Sequence, residues 1–422
     1  MAIQDYQGDI NMCCRCSACK HIPLQKINGM EHAYNCPSIS KYEYHAYSGG
    51  GRLITMRQML TTGFYYSDKL MDIVKNCQMC GACDISCKFA MDMEVLDPIQ
   101  EFRIKTVDEG HTVPALDKVI ESLRKQNTMK PGSKSKRGDW AKGLDVKDYT
   151  KQKVKVIYHA GCRTAFDKDL WPVATATISL LKKAGVEVGI AGNSEPCCGG
   201  RAYQMGYKED LLRQAKESAA MFEKSGAKIL VTGCAECYHA FKVLYDKFGF
   251  KGKIEVLHIT QYLDRLIKEG KLKPTKKVNM TVTYHDPCHL GRLGEDYIHW
   301  KGKRIPGISF VFDPPKTYRR GSNGVYAPPR DVLNSIPGLK LVEMDRNKEY
   351  AWCCGAGGGV AESNPEFASW TAEQRLEEAK SAGAQALVTA CPGCENMLGE
   401  TAKAAKSGFK VYDVVELLDR AV

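Results

Sequence analysis

No stretch of this chain approaches the roughly 18 consecutive apolar residues that cross a bilayer as a helix, so no membrane span of its own is expected. The opening MAIQDYQGDINM has neither the basic region nor the apolar run of a secretory signal. A cytoplasmic protein is the expectation, held at the inner face of a membrane only through a partner. GxGxxG is missing, which argues against a dinucleotide or flavin loop. CxxCH is missing, which argues against a c-type haem. The run GAGGG at 355–359 lacks the Lys-Ser/Thr of a phosphate loop and reads as close backbone packing. The formal charge is +11, yet no basic–aromatic motif marks a nucleic-acid surface.

Cysteine, by contrast, is abundant: nineteen in 422 residues. In a reducing compartment such cysteines bind metal more often than they form disulfides. They recur here in CxxC and CC units instead of spreading over loops. The positive charge is also uneven. Lys301, Lys303, Arg304, Lys316, Arg319, Arg320, Arg330 and Lys340 share one stretch with only Asp313 and Asp331, a local +6 from eight cations and two carboxylates. A solvated loop is the ordinary reading of such a run. Docking to an acidic protein or an anionic lipid surface is the alternative.

At roughly 150 residues per domain the length suggests two or three domains. Residues 1–125 carry nine cysteines, and 126–152, with Pro-Gly and Ser-Lys breaks, read as a linker. The remainder is a duplication, 153–275 and 276–422. VKVIYHAGCR at 154–163 matches VTYHDPCHL at 282–290, EPCCGG at 195–200 matches AWCCGAG at 351–357, and SGAKILVTGCAEC at 225–237 matches AGAQALVTACPGC at 382–394. Cys162 and Cys288 lie 126 residues apart, but Cys198 and Cys354 lie 156 apart, so the second copy holds about thirty extra residues between them. Those residues coincide with the basic stretch. Each copy alternates apolar, β-branched runs with helical patterns, which predicts parallel α/β layers. Cys162, Cys234, Cys288 and Cys391 fall just after expected strands, where ligands gather in such folds.

In the first segment Cys13-x2-Cys16-x2-Cys19 precedes Cys36-Pro37, and Cys77-x2-Cys80-x2-Cys83-x3-Cys87 follows. These runs resemble the two halves of a bacterial-type ferredoxin. That resemblance implies crossed ligation: Cys13, Cys16, Cys19 and Cys87 for one [4Fe–4S] cubane, and Cys77, Cys80, Cys83 and Cys36 for the other. Two departures stand out: the sixteen-residue insertion KHIPLQKINGMEHAYN before Cys36, and Lys88 after Cys87. Zinc sites favour cysteine pairs over triplets plus one. Cys14 has no assigned part.

The duplicated half offers Cys162, Cys197, Cys198, Cys234 and Cys237, then Cys288, Cys353, Cys354, Cys391 and Cys394. By spacing alone these are two five-thiol metal-cluster sites, and spacing leaves the type of cluster open. The doubled Cys…Cys-Cys-Gly…Cys-x-x-Cys pattern resembles the catalytic subunits of heterodisulfide reductases. With a ferredoxin-like segment in front, nearly the whole chain resembles the D-type subunit of that family, a fusion of the two-cubane and catalytic subunits. The resemblance implies a helical ferredoxin-like domain, a duplicated Rossmann-like Cys-Cys-Gly domain, and two noncubane [4Fe–4S] clusters beside the two cubanes. It also implies an anaerobic multi-subunit oxidoreductase, with a flavoprotein or membrane cytochrome b as partner and disulfide/thiol or quinone-linked chemistry. The alternative is a pure electron relay without its own substrate.

His159, His285 and His289 flank the first cysteine of each motif. A histidine there could donate a proton to a leaving thiolate. More commonly it hydrogen-bonds the backbone or a cluster sulfur. Arg163 and Arg292 could bind an anionic substrate or offset cluster charge. His285, His289 and Arg292 are the candidates for catalysis.

Overall fold

The computed structural model describes residues 2–27, 29–305 and 311–422. Up to residue 126 the described chain is helical, with short 3-10 turns and one antiparallel bridge between His21 and Tyr34. The main helices are Gly49–Thr62, Asp68–Lys75, Ala82–Met91, Leu96–Asp108 and Pro114–Gln126. Local chemistry sets where they begin. The Ser48 and Ser67 hydroxyls accept from the Gly51 and Leu70 N–H groups, satisfying donors that a helix start leaves free. Pro114 occupies a first-turn position, where its missing N–H costs nothing. Ile10, Leu53, Met56, Val95, Ile99 and Phe102 pack as the core of this part.

Eleven strands follow among the described residues: β1 (Lys147–Asp148), β2 (Val156–His159), β3 (Val188–Ile190), β4 (Ile229–Thr232), β5 (Glu255–His258), β6 (Met280–Tyr284), β7 (Lys303–Arg304), β8 (Phe312–Asp313), β9 (Leu339–Val342), β10 (Ala386–Thr389) and β11 (Lys410–Asp413). One sheet has the order β1-β3-β2-β4-β5 and another β11-β10-β6-β9, both wholly parallel. Apart from the extra edge strand β1, the two orders coincide when β2, β3, β4 and β5 are set against β6, β9, β10 and β11. Parallel strands covered on both faces need continuous apolar runs. β2 and β10 meet that need, being buried at every residue. Val156 registers between Val188 and Ile229, and Val282 between Leu341 and Ala386. The first cysteine of each motif leaves the carboxyl end of a central strand, as expected.

Residues 126–152 do more than connect. Asn127 closes the preceding helix in a left-handed conformation, Arg137 is buried against Glu195 at 3.0 Å, and β1 extends the first sheet. The basic stretch is also folded in part, through the antiparallel pair β7–β8; its residues 306–310 lie outside the described residues. Lys301, Lys303 and Lys340 are exposed, as a solvated loop requires. Other cations of the stretch turn inward. Lys316 reaches Glu94 at 3.6 Å, Arg320 pairs with Asp92, and Arg330 grips Asp286 through two contacts of 2.7 and 2.8 Å. Much of its charge therefore serves internal packing.

Arg103 joins all three parts. Fully buried, it donates to the carbonyls of Val74, Lys75 and Cys77 in the helical part, Gln204 in the first copy and Gly358 in the second, at 2.7–3.2 Å. Replacing it by Met leaves five inward-facing carbonyls without this donor. Arg103→Met should lower stability by about 3–5 kcal/mol, read as a fall in the denaturant midpoint by circular dichroism. Arg103→Lys should recover part of the loss, because an ammonium keeps the charge but not the planar fork. An unchanged midpoint in the Met variant would remove Arg103 from this role.

Candidate metal centres

Cys13, Cys16 and Cys19 lie on the loop after helix Gln7–Met12, which Arg15 (φ 62°) and Ser17 (φ 70°) coil tightly. Cys87 comes from helix Ala82–Met91. All four, with Cys14, line one small cavity closed by His45 and Gly50. The second four meet at the neighbouring loop. Cys36 has Cys80 and Cys77 as charged neighbours, and Cys83 faces Cys36 and Cys77. The sixteen-residue insertion does not displace Cys36. Asn35 ties its end to Ala82 O (3.1 Å) and Ser86 Oγ (2.6 Å), which carries the adjacent Cys36 to the second loop. Asn28 of that insertion lies outside the described residues.

The start of helix Gly49–Thr62 is wedged between these two groups of thiols. A Cβ on Gly49 would stand 3.2 Å from Cys83 Sγ, and one on Gly50 3.3 Å from Cys13 Sγ and 3.4 Å from Cys19 Sγ. The Gly50 N–H also donates to Cys19 Sγ at 3.2 Å. The triplet GGG at 49–51 was the readable sign of this cradle, and the cysteine spacings alone passed over it.

In the duplicated half, glycines form the turns at the thiols. Gly199 (φ 74°) and Gly355 (φ 96°) follow the two vicinal pairs, a conformation that side chains resist. Their N–H groups turn back onto Cys197 Sγ (3.5 Å) and Cys353 Sγ (3.3 Å). The thiols then form an unbroken series. Cys162 interacts with Cys197, Cys197 with Cys198, Cys198 with Cys237, and Cys237 with Cys234. Cys234 meets Cys391 of the second copy, and the series continues through Cys394, Cys354 and Cys353 to Cys288. Cys353 also meets Cys80 of the helical part.

All nineteen cysteines are free thiols. Burial pushes the Cys36 thiol up to about 12 and raises Cys83 well above its ordinary value. Such groups ionise readily only beside a cation, and soft thiolates in fours and fives suit iron–sulfur clusters. Backbone N–H groups aimed at sulfur and glycines that leave room beside it fit the same group.

The flanking residues divide clearly. His289 Nδ1 lies 3.2 Å from Cys288 Sγ. His285 Nδ1 accepts from Arg375 Nε at 3.1 Å, and a ring nitrogen of His285 lies within 4.8 Å of the Cys354 and Cys394 thiols. Among the described residues, neither ring nitrogen of His159 bonds a thiol. Burial lowers it to about 4, and its Nδ1 stands 3.7 Å from Glu195. Burial opposes the Glu195 charge, but the His159 ring and the Arg137 guanidinium favour it and hold the carboxyl below its usual range. Glu195 also accepts from the Ala160 and Gly161 N–H groups, shaping the turn before Cys162. Arg292 donates to Cys80 O and Glu349 O, both at 2.7 Å, so it grips a cysteine loop while its charge faces Cys80, Cys288 and Cys353. Arg163 reaches Asn396 at 2.5 Å. Glu195, Gln204 and Arg375 escaped the sequence reading, since nothing local ties them to the cysteines.

A cavity of about 400 Å³ lies between the helical part and the basic stretch, lined in part by Tyr6, Lys88, Trp300 and Arg319. A smaller one of about 50 Å³ shares Leu96, Asp97, Leu293 and Arg319 with it and reaches His289.

The Cysteine-rich domain family, CCG, matches residues 156–242 and 282–399, the two segments that hold these motifs. The D-type subunit of the dihydromethanophenazine:CoB–CoM heterodisulfide reductase of Methanosarcina barkeri is 32% identical, over 84% of this chain and 79% of its own. EtfAB:quinone oxidoreductase of Syntrophomonas wolfei is 29% identical over 83% of this chain, which spans 47% of that longer protein. Among solved structures, a hypothetical protein from Helicobacter pylori shares the fold alone, with a TM-score of 0.51 and 11% identity over 89% of this chain and 67% of that one. Two matched Cys-Cys-Gly segments and identity along most of both chains have one reading: this chain belongs to the family of D-type heterodisulfide reductase subunits, which are iron–sulfur oxidoreductase subunits.

Proposed function

We propose that the chain is the electron-transferring, disulfide- or quinone-linked subunit of an anaerobic oxidoreductase assembled with a flavoprotein or a membrane cytochrome b. Residues 1–125 act as a two-cluster ferredoxin-like domain, and 153–275 and 276–422 as paired Rossmann-like Cys-Cys-Gly domains. Two cubane and two noncubane [4Fe–4S] clusters supply one-electron transfer when bound. Cys13, Cys16, Cys19 and Cys87 would hold the first cubane, and Cys36, Cys77, Cys80 and Cys83 the second. Cys162, Cys197, Cys198, Cys234 and Cys237 would hold one noncubane cluster, and Cys288, Cys353, Cys354, Cys391 and Cys394 the other.

The carrying observation is the series of thiols that joins the two five-thiol groups to each other and to Cys80. Cys83 counts Cys19 of the first four among its charged neighbours, Cys80 meets Cys353, and Cys391 meets Cys234. Reducing a disulfide takes two electrons and two protons and yields two thiols. Adjacent sites that accept single electrons suit that stoichiometry. The small cavity that reaches His289 supports chemistry here over a bare relay, and the relative named EtfAB:quinone oxidoreductase supports a quinone-linked version.

Anaerobically prepared protein should carry about sixteen iron atoms per chain if all four clusters are [4Fe–4S]; about eight would remove the clusters from the duplicated half. Cys354→Ser should alter one non-ferredoxin paramagnetic signal and leave both cubanes reducible, whereas loss of every signal would make the motif a requirement for folding. Anaerobic copurification should recover a flavin- or haem-bearing partner. A partner that reoxidises the chain fully, with no disulfide turnover by the complex, would instead establish the relay.

A further inference from the structure

Gln204 belongs to the first copy, yet its side chain enters the second site. The Gly358 N–H donates to Gln204 Oε1 at 3.1 Å, which fixes the orientation of the amide. Gln204 Nε2 therefore carries both hydrogens. One goes to Glu236 Oε1 at 2.6 Å, and the other points at His289 Nε2, 3.0 Å away. An amide N–H can only donate, so His289 Nε2 must offer its lone pair. A neutral imidazole then keeps its hydrogen on Nδ1, the nitrogen 3.2 Å from Cys288 Sγ. His289 and Gln204 are both buried.

Among the described residues, the first copy has no such arrangement. Arg163 stands where His289 would be, and it turns to Asn396. His159 has both ring nitrogens without a hydrogen-bond partner and meets Phe241 edge-on, with ring centroids 4.8 Å apart.

We propose that Gln204 acts as a positioning residue that locks His289 as an Nδ1–H donor to Cys288, raising the reduction potential of the second five-thiol site. The inference rests on the cluster reading above. Reduction adds negative charge to a cluster and its thiolates, and an N–H aimed at sulfur stabilises that charge, so the potential rises. The same geometry excludes His289 as a metal ligand, because neither ring nitrogen has a free lone pair. The second site is also the one that meets the helical part, through Cys353 and Cys80. By that contact the helical part meets the second copy first, and Cys391 then adjoins Cys234 of the first.

The test is a redox titration of the anaerobic full-length protein followed by electron paramagnetic resonance. His289→Leu should lower the midpoint of one non-ferredoxin signal by roughly a tenfold change in the reduced-to-oxidised ratio, about 59 mV for a one-electron couple, with iron content unchanged. His289→Asn, whose amide nitrogen takes the place of Nδ1, should restore most of the shift. Gln204→Leu should give a smaller shift in the same direction. An exchangeable proton coupled to that cluster should be present in the parent and in His289→Asn, and absent in His289→Leu. Unchanged midpoints in His289→Leu, no recovery in His289→Asn, or loss of iron on removing the imidazole would each overturn the proposal. A parent protein with only the ferredoxin-type iron would overturn the cluster reading itself, and the iron count alone reports that failure.

Discussion

A single buried guanidinium holds this architecture together. Arg103 has no carboxylate partner among the described residues; carbonyl oxygens from all three parts of the chain surround it. Burial disfavours its charge and lowers it to about 10, while the Cys77 thiol favours that charge. Three of the five carbonyls it binds belong to or adjoin the thiol sites: Cys77 in the second cysteine run, Gln204 beside His289, and Gly358 in the glycine run after the second Cys-Cys-Gly. A cation that satisfies all of them at once fixes the distances between thiol groups. A buried salt bridge would neutralise the charge but could not reach three backbones together.

The two copies share a strand order but not an electrostatic setting. The first places Glu195 behind Cys162, backed by Arg137 from the stretch after the helical part. The second has Ala351 at the position corresponding to Glu195 and builds with histidines: His289 against Cys288, and His285 braced by Arg375 beside Cys354. Ring N–H groups aimed at sulfur favour added electrons in the second copy, while in the first the Arg137 guanidinium, which faces Cys162 and Cys197, offsets the Glu195 charge. The duplication therefore supplies two similar cages with different surroundings.

The basic stretch has a comparable double character. Its inward cations brace the second copy against Asp92 and Glu94 of the helical part. Its outward lysines stay exposed beside a cavity that aromatic and charged side chains share. Net charge along the sequence could not separate these two uses, because the partners of Lys316 and Arg320 lie more than two hundred residues earlier.

Much of the fold was legible because the signals are local. Continuous apolar runs such as VIYH and ALVT have one stable use, a strand covered on both faces. Repeated cysteine spacings identify thiol sites because a turn bearing ligands at short intervals wraps one centre. Those features, with the duplication and the resemblance to D-type heterodisulfide reductase subunits, came from the order of residues alone. Only the tertiary structure decided how the sites adjoin, that Cys80 meets Cys353 and Cys391 meets Cys234, and that Gln204 sets the hydrogen on His289. Contacts of this kind join residues from separate elements, and no periodicity along the chain encodes a meeting that packing in three dimensions creates.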